Sequence, residues 1–187
     1  MEEPVDTQTA ILGSAMALLR ENTFEDISYP DLAKVAGVSE RTIYRRFPTR
    51  SHLLEALAQW IEAERFPLGR FETMEEFRRA VRDRFRAYDG APGYAFVCAR
   101  GAALSPMSEA PSASVTGAIL AMLHRAAPTL NRRDTQRIAA AARHFASPVF
   151  WARMRTGFEM DAEEASDAFD RAMLHVLPAE SKPSRAA

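Results

Sequence analysis

With 187 residues, 47% of them apolar and 26% charged, the chain can build one sizeable core or a small module joined to a larger one. No apolar run approaches a membrane span, the start Met-Glu-Glu-Pro-Val-Asp is unlike a secretory signal, and the lone Cys98 excludes an intramolecular disulfide framework, so a cytoplasmic protein is expected. A net charge of -1 gives no hint of nucleic acid, which leaves the question to the local distribution of charge.

Along residues 7–21 the apolar positions Ile11, Ala15, Leu18 and Leu19 share one helical face. Asn22, a residue that tolerates the left-handed conformation, is expected to close that helix, with Phe24 and Ile27 as anchors in the loop beyond. Ser28 can cap a second helix reaching Ala36, with Pro30 in its first turn and Leu32, Val35 and Ala36 as the buried stripe. Gly37 then supplies the reversal, and Ser39 caps a short helix in which Ile43 and Phe47 face inward while Glu40, Arg41, Tyr44 and Arg45 point elsewhere. From Lys34 to Arg50 the basic residues Lys34, Arg41, Arg45, Arg46 and Arg50 meet the single acid Glu40, so this short stretch is strongly positive inside a neutral chain. Pro48 ends the basic helix, and Thr49 caps a longer one over residues 50–64 with Leu53, Leu54, Leu57 and Ile61 inward.

Pro67 and Gly69 mark a break, which divides the chain into residues 1–66 and 67–177, followed by a polar tail, 178–187, expected to be disordered. Beyond the break Met74, Phe77, Val81, Phe85 and Tyr88 recur at helical spacing, and Asp89-Gly90-Ala91-Pro92-Gly93 reads as a strong turn. A helix over residues 94–104 follows, then a loop at 105–111 and a helix through Val115, Ile119, Met122 and Leu123 that Pro128 stops. Asn131 can cap an alanine-rich helix through Ile138, Ala142 and Phe145; Ser147-Pro148 begins another; Asp161 and Glu164 have capping-box spacing for the last. No strand and no repeat is visible, so the fold class is all-α: a three-helix amino-terminal module with a helix-turn-helix at about 28–47, then a larger helical domain.

The combination of Phe24, Ile27, the helix Tyr29 to Ala36, then Ala36-Gly37-Val38-Ser39, Thr42-Ile43-Tyr44, Phe47 and the entry Arg50 to Leu54 resembles the TetR family of bacterial transcriptional repressors. The resemblance implies a homodimer whose basic helices lie in successive major grooves of a near-palindromic operator. It implies base-edge contacts for Glu40, Arg41 and Arg45, phosphate contacts for Thr42 and Tyr44, and a charged phosphate contact for Arg50, with Ser39 and Arg46 completing the set. The family usually carries histidine and lysine where this chain has Arg46 and Arg50, which keeps or raises the positive charge.

It also implies a cavity for a small-molecule effector in the second domain, for which Phe85, Tyr88, Phe96, Met122 and Phe145 offer apolar lining and Arg100, His124 and His144 polar groups. By default the apolar members are core and the histidines surface. Small residues at Ala139 to Ala142, and at Ala165, Ala168 and Ala172, suit a dimer interface through the last two long helices, and the Phe150-Trp151 segment looks like the same dimer-forming end. His124, His144, His175 and Cys98 lack metal-ligand spacing, and the serines lack a nucleophile elbow, so neither a metal, a cofactor nor an enzyme is expected. The competing reading is a helical ligand-binding or carrier protein that keeps the turn motif only as a fold element.

Overall fold

The computed structural model describes residues 6–104 and 110–176, and the described residues form helices and connections without strands. In chain order the helices are α1 (Thr7–Leu18), α2 (Tyr29–Ala36), α3 (Glu40–Arg46), α4 (Arg50–Arg65), α5 (Met74–Gly90), α6 (Pro92–Leu104), α7 (Ala110–Ala126), α8 (Arg132–Phe145), α9 (Pro148–Phe158) and α10 (Ala162–Val176). They sort into two compact units, α1–α4 with α6, and α5 with α7–α10. This division differs from a single boundary after residue 66, because α6 packs with the amino-terminal helices.

In the first unit α1 buries Ile11, Leu12 and Ala15, whereas Leu18 and Leu19 are only half-buried. Asn22 does not close α1 by a left-handed turn: among the described residues positive φ occurs only at Gly37 and Glu159. Instead its backbone N–H and its side-chain amide both donate to the Leu18 carbonyl, at 3.1 and 3.0 Å, closing the helix end. Phe24 and Ile27 are buried anchors, as their position between two helices suggests. Ser28 caps α2 by accepting from the Asp31 N–H at 3.2 Å. The buried stripe of α2 is Tyr29, Leu32 and Ala33, and Val35 is 51% exposed, so the helix is rotated from the expected face. Thr49 caps α4 by accepting from the His52 N–H at 3.3 Å, and Leu53, Leu54, Leu57, Ala58 and Ile61 turn inward.

Close approach explains how α6 joins this unit. A Cβ on Gly101 would lie 2.2 Å from the Ala58 Cβ and 3.1 Å from the Leu54 carbonyl, so only glycine lets α6 press onto the backbone of α4. The Cys98 thiol reaches the Ala58 carbonyl at 3.6 Å in the same crossing. Near the start of α6, the Tyr94 hydroxyl donates to the Met16 carbonyl at 3.3 Å and its ring lies 4.7 Å below the Arg65 guanidinium.

The second unit begins with a box absent from the sequence reading: Glu76 N–H donates to Thr73 Oγ1 at 3.2 Å while the Glu76 carboxylate accepts from Glu72 and Thr73 N–H. Those amides hold the Glu76 carboxyl below its ordinary pKa. From there α5 runs unbroken to Gly90, and Pro92 opens α6, so the expected five-residue turn is a junction at Ala91 with no positive φ. Phe77, Val81, Phe85 and Tyr88 are fully buried with Ile119, Met122, Trp151, Phe169 and Met173. Rings meet edge-on at Phe77–Phe169, 5.8 Å, and stacked at Phe85–Phe150, 6.1 Å. Asp89 ties three helices, accepting from Trp151 Nε1 at 2.9 Å and from the Ala162 N–H at 2.8 Å.

On the surface Arg78, Arg82 and Arg86, one turn apart on α5, pair with Asp170, Asp167 and Glu163 of α10. Asn131, Ser147 and Asp161 cap α8, α9 and α10 as their spacing predicts, each accepting from backbone N–H three residues on. Helix α7 starts at Ala110, inside the stretch 105–111 expected as a loop; residues 105–109 of that stretch, and the expected tail 178–187, lie outside the described residues.

Candidate nucleic-acid interface

Gly37 has φ 66° and ψ 28°, and a Cβ there would meet nothing within 4 Å, so glycine serves the dihedral and not the space. The reversed chain sends the N–H groups of Gly37 and Val38 back to the Ala33 carbonyl, and Ser39 follows in extended conformation. Its hydroxyl accepts from the Thr42 N–H at 3.2 Å and meets the Thr42 hydroxyl at 2.9 Å. The first turn of α3 is thus fixed locally before any tertiary contact.

Ile43 is fully buried and Phe47 almost so, whereas Glu40, Arg41, Tyr44, Arg45 and Arg46 are exposed. The inner face therefore docks and leaves three guanidiniums, a phenol and one carboxylate on the outer side. Tyr29 of α2 staples the element in place: its hydroxyl donates to the Phe47 carbonyl at 2.8 Å. Burial pushes the Tyr29 phenol above its ordinary pKa, which keeps the donor protonated. Tyr44 rests its ring edge-on against Tyr29 with centroids 4.7 Å apart, yet stays 53% exposed, so packing orients the ring and leaves the side chain accessible.

Arg50 is placed differently from the expected phosphate contact. Its Nη1 and Nη2 donate to the carbonyls of Ile27 and Phe24, and the guanidinium lies 4.4 Å over the Phe24 ring. Two orphan carbonyls of the loop between α1 and α2 outcompete solvent for a side chain that helix-start position alone would have sent outward. Arg50 is a strut of the first unit, and it borders a cleft with Glu25, Ser28, Tyr44 and Thr49. Glu25 and the caps Ser28 and Thr49 were not candidates in the sequence reading; their nearness to Tyr44 is a tertiary fact.

The residues considered for an effector site are divided between the units. Phe85, Tyr88 and Met122 are fully buried in the second unit, where half-buried Phe145 meets Phe150 edge-on at 5.4 Å and Phe150 stacks on Phe85. His124 and His144 are exposed there, each near its helix's last turn, where a cation or polar tip faces solvent. Phe96, half-buried, and Arg100, exposed, belong to α6 and hence to the first unit, where Arg100 pairs with Glu25. Among the described residues no group of three or more His, Cys, Asp or Glu side chains could hold a metal ion, and no helix is long and apolar enough to cross a membrane.

Residues 11–57 match the family model for bacterial regulatory proteins of the tetR family. The transcriptional regulator EthR of Mycolicibacterium smegmatis is 44% identical over 52 residues, covering 28% of this chain and 24% of that protein. The nucleoid occlusion factor SlmA of a Marinomonas species is 36% identical over 61 residues, 33% of this chain and 31% of its own length. The chain thus spans about a quarter to a third of the length of these curated relatives. Over the whole chain the likeness is one of fold. A TetR-like transcriptional regulator from Rhodococcus sp. RHA1 superposes with TM-score 0.56 at 17% identity, covering 94% of this chain and 97% of that one. FadR of Thermus thermophilus, a TetR family transcriptional repressor solved in complex with lauroyl-CoA, gives 0.58 at 17% identity, with 96% and 100% covered.

Proposed function

We propose that the chain is a homodimeric, cytoplasmic DNA-binding transcriptional regulator, a repressor released from its operator by a small apolar or amphipathic molecule, a reading supported by the match of residues 11–57 to the model for bacterial regulatory proteins of the tetR family. The DNA-binding role belongs to the unit of α1–α4 and α6, and the effector and dimer roles to the unit of α5 and α7–α10. One observation carries the reading: α3 is a capped helix with a buried inner face whose exposed side concentrates Arg41, Arg45 and Arg46 immediately after a positive-φ glycine turn.

In the major groove, Arg41 and Arg45 read guanine edges and Glu40 a cytosine amine, each good bidentate pair discriminating by about 1–3 kcal/mol. Tyr44 and Thr42, with Ser39 beside it, bind phosphate and fix register; Arg46 adds charge. Phosphate neutralisation by this local patch does not need a basic protein overall. The effector reading is supported by the aromatic cluster of the second unit and by the acyl-CoA complex of a protein of the same fold. The dimer reading is supported by outward positions of α8 and α10: Ala140 is exposed, Ala168 and Ala172 are half-buried, and Leu174 is 65% exposed, while Ala139, Ala142 and Ala165 are used inside the chain. To empty the operator, effector must favour the released form by about 5 kcal/mol.

Selection of bound fragments from a genomic library, followed by anisotropy titration against salt, tests the reading. A near-palindromic consensus with affinity falling steeply as salt rises is expected, and Arg41→Ala should abolish most of the preference over scrambled duplex. Absence of any sequence preference at every salt would instead favour a carrier that keeps the turn motif as a fold element.

A further inference from the structure

Glu25 sits on the loop between α1 and α2 and borders the same cleft as Tyr44, Thr49 and Arg50. A free carboxylate there is misplaced on a surface that receives phosphate, since like charges in near-aqueous surroundings still repel over several ångströms. Its charge is answered from α6. The Arg100 guanidinium pairs with Glu25 Oε1, and this contact holds the Glu25 carboxyl below its ordinary pKa. With side chains 52% and 53% exposed, the pair contributes little to folding. Arg50, the cation that lines the cleft, has its two terminal nitrogens on loop carbonyls. The Arg100–Glu25 pair is thus poorly placed to hold the fold and well placed to shape the field.

We propose that Arg100 is a positioning residue for DNA binding, which acts by neutralising Glu25 at the rim of the cleft beside Tyr44, so that the charge of the reading unit is completed from α6. The inference rests on the DNA-binding reading above. It assigns to Arg100 a partner in the reading unit and none in an effector cavity.

The test uses the full chain and a labelled random-sequence duplex of about 30 base pairs, titrated between about 50 and 200 mM salt, where phosphate electrostatics dominate. An uncompensated carboxylate about 6 Å from a phosphate weakens binding about threefold. Arg100→Ala and Arg100→Gln should therefore lose about threefold in affinity and Arg100→Lys should retain it, while Glu25→Gln gains a similar factor. The double variant Arg100→Ala/Glu25→Gln should return to wild-type affinity. A double variant as weak as Arg100→Ala, or a loss in Glu25→Gln, means that the pair supports structure or that Arg100 touches phosphate itself, and overturns the proposal. Equal affinity of wild type and Arg100→Ala overturns it too, while leaving DNA binding intact. Failure of the wild type to bind any duplex at the lowest salt would remove the underlying reading and this inference with it.

Discussion

In the unit of α1–α4 and α6 the decisive positions are small or polar: Gly37 for its dihedral, Gly101 for its missing Cβ, Ser28, Ser39 and Thr49 for their hydroxyls, Arg50 for two loop carbonyls. In the unit of α5 and α7–α10 they are large: Phe77, Phe85, Tyr88, Trp151 and Phe169 fill the centre, and ion pairs between α5 and α10 lie on the rim. The first unit fixes directions of backbone and side chain, which a surface that reads another molecule needs. The second fixes volume, and volume-conserving exchange of apolar side chains is the substitution that proteins tolerate best. A reading surface is therefore expected to leave a legible residue pattern, and a core of this second kind is not.

Each unit carries one tryptophan, Trp60 beside Gly13 in the first and Trp151 in the second, so Trp151→Phe and Trp60→Phe variants report them separately. The largest effect should come from Phe85→Ala, which strips a ring touching Phe150, Tyr88 and Phe169 and costs about 4 kcal/mol in the Trp151-reported unfolding. Gly101→Ala, forced against Ala58, should cost about 2–3 kcal/mol in the Trp60-reported transition. Gly37→Ala should cost about 1–2 kcal/mol there, from left-handed backbone strain alone, and on the proposed DNA-binding reading should also weaken operator affinity by changing the angle of α3. Urea titrations of both reporters measure all three. If every variant moves the two transitions together, the units unfold as one cooperative body and the contrast in how they are built has no counterpart in stability.

The smallest effect is expected from acid. Glu76, held by the amides of Glu72 and Thr73, and Glu163, held by Arg86, both titrate below the ordinary glutamate range when folded. A folded pKa below the unfolded one adds stability at all pH above the unfolded value and loses it as pH falls through the folded one. Trp151 fluorescence should thus report a gradual loss of stability once pH drops below the usual carboxylate range, and Glu76→Gln should flatten that slope.

The helix-turn-helix was readable because its positions do different jobs at fixed spacing: a glycine for φ, a serine for the cap, Ile43 and Phe47 for the inner face. The caps at Asn131, Ser147 and Asp161 were readable for the same reason, and Thr73 with Glu76 carried the same signal unread. Val35 misled because eight residues of α2 make barely two turns, too few for periodicity to separate two adjacent faces. Asp89 to Gly93 misled because Gly and Pro mark a turn by composition, yet Pro92 is equally at home as the first residue of a helix. Arg50 and Arg100 could not be read at all. Their partners, Ile27, Phe24 and Glu25, lie tens of residues away, and nothing in the local sequence distinguishes a strut from a free cation.

The bare crossing of Gly101 on Ala58 limits how this molecule can be recombined. The match to the family model ends at residue 57, which invites treating the amino-terminal helices as a portable cassette. A hybrid cut after α4 would leave the Leu54–Ala58 side of that helix naked and discard Arg100, so the portable piece is two ribbons of chain, α1–α4 and α6. On the proposed reading, an exchange of effector specificity would have to splice a new domain around α6 and leave that helix in the first unit.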